Sequence, residues 1–151
     1  MMKAFSPVVD LLPLDHEYLT YIKKVLRHRC RQAGFRRITP SLIEPLDQAL
    51  QIFPQEELDK EAVFIPGEGS KAPTLIRFNP LYSVARTYQD NQMKDWPQPV
   101  ELYAIDPFLR KDEQGQVRME QSFGMYLIGS EDSALSAQII FLAAEILGDL
   151  G

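Results

Sequence analysis

Residues 100–129 constrain this chain more than any other stretch. Two apolar, β-forming runs flank the polar loop Lys111–Gln116, in which Gly115 can take the positive φ of a tight reversal. The pattern predicts a long antiparallel hairpin. Its arms bring Arg110 and Arg118 close together across the loop, an arrangement suited to a phosphate or a carboxylate. The same spacing also fits an ordinary hairpin with two solvated arginines, and at this level both readings stand.

The rest of the chain must cover that hairpin. At 151 residues it is long enough for one domain, 1–151, burying roughly two-thirds of its unfolded surface. The 45% apolar and 25% charged content is that of a globular protein. No apolar run approaches the ~20 residues of a bilayer span, so no membrane association is expected. The single cysteine, Cys30, reads as a small buried hydrophobe suited to a reducing cytoplasm. His16, His28 and Cys30 have no metal-ligand spacing, and no metal is expected.

A net charge of −5 argues against nonspecific nucleic-acid binding by the whole surface. Charge is uneven, however: Lys23, Lys24, Arg27, Arg29, Arg31, Arg36 and Arg37 follow one another with no acid between them. This is either a solvated helix face or a patch that touches RNA or a partner.

In chain order, residues 1–13, with Pro7 and Pro13, read as an extended arm. Asp15 is the expected cap of a helix over His16–Gly34 whose apolar stripe is Tyr18, Leu19, Ile22, Val25, Leu26, Cys30 and Ala33. Phe35–Thr39 reads as a strand closed by Pro40, continuing extended through Ser41–Glu44 to Pro45. A proline there places it at a sheet edge or a subunit boundary. Leu46–Phe53 reads as a short helix and Gln55–Glu61 as an exposed acidic segment. Ala62–Ile65 and Thr74–Phe78 read as strands joined by the turn Pro66–Ser70, which lacks phosphate-loop spacing. Asn79-Pro80 starts a helix with Leu81, Val84, Ala85 and Tyr88 on its buried side. Ser130 starts a last helix with Leu135, Ile139, Leu142, Ala143, Ile146 and Leu147 inward. The expected fold class is α+β, a largely antiparallel sheet flanked by helices.

These elements, with particular residues, resemble part of the catalytic core of class II aminoacyl-tRNA synthetases, specifically the histidyl-tRNA synthetase family. That family includes the regulatory subunit of ATP phosphoribosyltransferase. Asp10-Leu11-Leu12-Pro13 is similar to the family's opening element. Ala33-Gly34-Phe35, Ile38-Thr39-Pro40 and Glu44-Pro45 resemble motif 1, the dimer-interface helix and strand. Leu102–Arg110 resembles the first strand of motif 2, and Gln121–Gly124 through Ile128–Ser130 its second strand and exit.

The resemblance implies ATP with Mg²⁺ as ligand. Arg110 stands where the family holds the α-phosphate and the amino-acid carboxylate, Asp112 where an acid meets the adenine amino group, and Arg118 where an arginine reaches the γ-phosphate. Glu120 falls at the adenine-stacking position. The amino-acid pocket departs from the family: Arg77, Asn79 and Leu81 align with an Arg-Pro-Glu-Gly-Thr element, so a carboxylate and a hydroxyl are replaced. Ser122 stands in place of a glutamine, and Tyr126 in place of an acid. Val84-Ala85-Arg86 is closer to the regulatory branch. The chain stops before the second histidine-binding segment and motif 3. The expectation is therefore a non-catalytic dimerising or regulatory module with residual ATP or metabolite binding. It would act as a homodimer, or as a hetero-oligomer with a partner enzyme. The alternative is part of a working histidine–tRNA ligase. The resemblance places the dimer interface at Ile38, Pro40, Leu42 and Ile43, and tRNA is a further possible partner.

Overall fold

The computed structural model describes residues 10–69 and 71–151. The proposed N-terminal arm up to Val9, and Ser70 of the Pro66–Ser70 turn, lie outside them. The described residues fall into two compact units, Pro40–Thr87 with Asp106–Ser122, and Asp10–Thr39 with Tyr88–Ile105 and Phe123–Gly151.

In the second of these, helix α1 spans Pro13–Gln32. It starts earlier than expected because Pro13, with no N–H to satisfy, occupies the first helical position. Asp15 is therefore not the N-cap residue. Its carboxylate instead accepts a hydrogen bond from the Leu12 N–H at 2.9 Å, inside the first turn. Only Leu26 and Cys30 of the expected stripe are fully buried, whereas Tyr18 and Ile22 are exposed. Burial raises the Cys30 thiol to about 11, so it stays protonated at neutral pH. After α1, strand β1 is only Arg36–Arg37. It runs parallel to the first strand of the hairpin, with Arg36 opposite Leu102 and Arg37 opposite Tyr103. This one pairing departs from the antiparallel rule expected from sequence.

The other unit contains a three-stranded antiparallel sheet in the order β2 (Ile43–Pro45), β4 (Thr74–Ile76), β3 (Val63–Ile65). Ile43 lies opposite Ile76, and Val63 opposite the same residue on the far side. β2 is thus an edge strand, as Pro45 requires. Two short helices fill the chain between β2 and β3: α2 (Leu46–Ala49) and α3 (Gln55–Glu61). The second gives the acidic segment 55–61, exposed as expected at Gln55, Glu56, Asp59 and Lys60, a helical form and one buried residue that were not expected. Leu58 sits fully buried against Ala49, Ala62, Leu75, Phe78 and Tyr82, and only a helix lets one apolar residue face inward while Glu56 and Asp59 face water.

Helix α4 (Pro80–Asp90) begins where Asn79 Oδ1 accepts the Tyr82 N–H at 3.1 Å. The cap sets the helix rotation so that Tyr82, Ser83 and Val84 point inward, and Leu81 and Ala85, expected in the core, are exposed. Strands β5 (Val100–Lys111) and β6 (Val117–Ile128) form the expected hairpin, and Gly115 has φ of +74°. Helix α5 (Ser133–Leu150) is capped by Asp132, which accepts from the Ala134 N–H at 2.8 Å; Ser130 stands two residues upstream. Its Leu142 and Ile146 pack with Leu26, Cys30, Phe35, Tyr103 and Ile105. Leu147, expected inward, is exposed, as are Ile140 and Phe141. By length and composition alone α5 could cross a bilayer, which the absence of long apolar runs did not lead us to expect.

Candidate functional site

The hairpin turn builds the site. The Asp112 N–H donates to Gln116 O at 2.9 Å, and Asp112 Oδ1 accepts from the backbone N–H of Gln114 (3.0 Å) and of Gln116 (2.9 Å). A carboxylate that satisfies turn amides in this way pins the reversal. Its other oxygen accepts from Arg118 Nε at 2.6 Å. The Arg118 guanidinium first, and the Gln116 N–H second, hold the Asp112 carboxyl below the usual carboxylate range.

Two residues before the turn on β5, Arg110 faces Glu120 of β6. Nε donates to Oε1 at 3.0 Å and Nη2 to Oε2 at 3.4 Å, a two-point pairing across the strands. The Arg110 guanidinium also lies 5.8 Å from the centre of the Phe108 ring. Arg110, Asp112, Arg118 and Glu120 all line one cleft of about 720 Å³. The structure therefore brings together the four residues expected at a nucleotide site. It also assigns two of them work within the fold: Asp112 to the turn and Glu120 to Arg110.

The cleft has a wall that the sequence did not indicate. Asp59, Lys60 and Glu61 of α3 line it, with Lys111 and Glu113 from the hairpin. Lys111 Nζ donates to Asp59 O at 2.9 Å and lies 5.6 Å from the Phe64 ring centre. The available signal was Pro54 followed by Glu56, Glu57 and Leu58, an N-terminal helix pattern with a single apolar anchor. Five carboxylates against four cations leave the lining slightly acidic. A bare triphosphate would meet net repulsion there. Mg²⁺, which binds through phosphates and one or two carboxylates, would remove it. The donor set thus fits a phosphate group carried with Mg²⁺: Arg110 and Arg118 would meet phosphate oxygens and Glu120 or Glu113 the cation.

The residues aligned with the amino-acid pocket do something else. Arg77 is 4% exposed; its Nε and Nη2 donate to Pro107 O and its Nη1 to Pro40 O at 2.8 Å. Its backbone adds Arg77 N–H to Leu42 O at 2.8 Å and Leu109 N–H to Arg77 O at 2.9 Å. Asn79 spends its side-chain oxygen on the α4 cap, and Leu81 is 65% exposed. Ser122 is half-buried on β6. Tyr126, also half-buried on β6, lies over Gly124, where an added Cβ would come 2.3 Å from the phenol oxygen and the ring would have to shift. Behind the β2 edge, Glu44 is fully buried with Arg86 Nε 3.6 Å from its Oε1. Burial raises the Glu44 carboxyl above its ordinary value, an effect that Ser83, Arg86 and Arg77 only partly oppose. Of the residues expected at an interface, Leu42 and Ile43 are exposed, Ile38 is half-buried and Pro40 is buried.

This geometry can be set beside known proteins. A family model described as histidyl-tRNA synthetase matches residues 8–151. The chain is 31% identical over 150 residues to a histidine–tRNA ligase of Desulforudis audaxviator, and 32% over 147 residues to one of Geobacillus thermodenitrificans. Each match covers 94% of this chain and 34% of the relative, so the chain spans about a third of the length of the curated proteins it matches. Among solved structures, apo histidyl-tRNA synthetase of S. aureus superposes with a TM-score of 0.81 at 22% identity, over all of this chain and 35% of that one. A Bacillus halodurans protein described as an ATP phosphoribosyltransferase regulatory subunit/histidyl-tRNA synthetase gives 0.81 at 19% identity, over all of this chain and 39% of that one. The fold is that of these structures, and the family match extends over nearly the whole sequence: the chain belongs to the histidyl-tRNA synthetase family.

Proposed function

We propose that this chain is a non-catalytic module of histidyl-tRNA synthetase type, dimerising or regulatory in role, with a residual site for ATP with Mg²⁺ or another phosphate-bearing metabolite at Arg110. One observation carries the reading. The groups that would grip an amino acid are spent on the scaffold: Arg77 clasps backbone carbonyls, Asn79 caps α4, and Leu81 offers solvent a hydrocarbon chain. An uncharged amide cannot repay the desolvation of a substrate ammonium as a carboxylate would. Both guanidiniums of the phosphate half lie in one cleft by contrast, each paired with a carboxylate that a phosphate would have to displace.

The exposed Leu42 and Ile43 on the β2 edge support a homodimer, or a hetero-oligomer with a partner enzyme, because a free apolar strand edge invites pairing. A regulatory role follows the analogy with the B. halodurans protein. The reading places the module in the cytoplasm, with tRNA as a further candidate partner. A second reading, part of a working ligase, is favoured by the co-location of Arg110 and Arg118 and by the ligase relatives.

Isothermal titration decides between them. Weak saturable binding of Mg-ATP, abolished in Arg110→Ala, with no heat from histidine, is expected. Mutually dependent binding of ATP and histidine would overturn the non-catalytic reading. Sedimentation should show a dimer that Ile43→Lys converts to monomer, and wild type remaining monomeric across micromolar concentrations would refute the interface.

A further inference from the structure

Among the described residues, every one that lines the cleft at Arg110 is charged except Gly115, so no aromatic or aliphatic side chain faces it. That composition separates the two halves of a nucleotide. A polyphosphate chain takes cations and a chelated metal, whereas a base takes an apolar plane or an unspent hydrogen-bonding edge. For the first the cleft holds four cations, Lys60, Arg110, Lys111 and Arg118, with carboxylates beside them for the metal.

For the second it holds little. Asp112 Oδ1 accepts from the Gln114 and Gln116 N–H groups and its Oδ2 from Arg118 Nε, which fills about three of the four acceptor positions of a carboxylate. Glu120, at the position aligned with base stacking, has no ring and is turned onto Arg110. Two phenyl rings belong to neighbouring strand positions, but cations already sit against them. Phe108 is 9% exposed with the Arg110 guanidinium 5.8 Å from its centre, and Phe64 has Lys111 Nζ 5.6 Å from its centre. Neither ring lines the cleft.

We infer that this cleft recognises a magnesium-bound polyphosphate chain and leaves the nucleoside unread, so that a triphosphate ester without a base is as good a ligand as ATP. Resting on the phosphate site proposed above, this narrows its ligand to the class of metal-chelated polyphosphates. Arg110 and Arg118 hold the phosphate oxygens, and the base stays in solvent because no ring or free acceptor edge meets it.

Isothermal titration of the full chain with the magnesium complexes of methyl triphosphate, ATP and UTP tests this, since all three carry the same triphosphate. A base stacked on an aromatic ring would add about 5-fold to 150-fold in affinity. Dissociation constants within about fivefold of one another are expected instead, with no heat from adenosine. Arg118→Gln should weaken all three ligands by one common factor, about threefold to tenfold. Circular dichroism checks that this variant folds, and Lys60→Gln on α3 serves if it does not. ATP bound more than about fivefold tighter than methyl triphosphate or UTP overturns base-blind recognition and leaves the phosphate site standing. So does saturable binding of adenosine, or a loss in the folded variant that is confined to ATP. No heat from any of the three triphosphates overturns the phosphate site and base-blind recognition together.

Discussion

Arg77 is the residue where scaffold and substrate roles are most sharply opposed, and its replacement gives the most informative stability measurement. The side chain is 4% exposed and serves two carbonyls, Pro40 O and Pro107 O, with Nε and Nη2 converging on the second. A hydrogen bond from a charged donor contributes about 1.5–3 kcal/mol, most of it the cost of leaving a buried acceptor unpaired. Arg77→Met removes both acceptor pairings, so the loss is about 3–6 kcal/mol, less whatever is regained by no longer burying a guanidinium. Arg77→Lys keeps the charge but, as a single ammonium, reaches one carbonyl at a time, and should lose about 2–3 kcal/mol. Urea unfolding followed by circular dichroism measures both, provided the slope with denaturant is unchanged. If Arg77→Met lies within about 0.5 kcal/mol of wild type, typical of an inert surface change, the clasp is not structural and the side chain must be held for a ligand.

Leu58→Ala should cost about 2–5 kcal/mol in the same assay, because Leu58 is fully buried among α2, α3 and the β2–β4–β3 sheet; a near-neutral result would return 55–61 to an exposed segment. Glu44 gives a prediction with a definite sign in pH. Its carboxyl is raised in the folded state, so the folded protein binds that proton more readily than the unfolded chain. The stability Glu44 contributes is therefore fullest below its unfolded value and declines as pH rises through the folded one. The stability of wild type minus that of Glu44→Gln should fall over that window and level off above it; a difference that rises with pH would show the carboxylate to be net stabilised by Arg86. Glu120→Gln frees Arg110 and removes a negative charge from the cleft, so inorganic pyrophosphate should bind about twofold to fivefold more tightly, and weaker binding would place Glu120 on the ligand side.

The hairpin was legible because its signals are local: two β-prone runs, a polar loop and one glycine that takes φ of +74°. The start of α4 was legible for the same reason, from Asn79-Pro80, whereas α1 begins at Pro13, three residues before the expected His16. What failed was rotation and burial. Leu81, Tyr18 and Leu147 are apolar and correctly spaced for a core, yet exposed, because a helical period fixes a stripe but tertiary contact decides how much of it is covered. Leu58 failed in the opposite direction, a single apolar side chain among acids that no periodicity marks. No side chain in Arg36–Arg37 encodes the parallel pairing of β1 with β5.

The candidate site follows the same division. Arg110 and Arg118 could be placed from the hairpin alone, but the carboxylates that answer them could not be read as partners. Glu120 is opposite Arg110 because of strand register, and Asp112 reaches Arg118 because the turn folds its carboxylate inward. That pairing changes what the cleft can do. An anion arriving at Arg110 exchanges with Glu120 instead of meeting a free guanidinium, so the contact it gains is only the difference between two similar charge-assisted pairs. Strong binding then requires something that also removes the carboxylate's charge, and a divalent cation carried on the phosphates does this at the same moment. Affinity at this cleft should therefore depend on Mg²⁺ more steeply than on the number of phosphates.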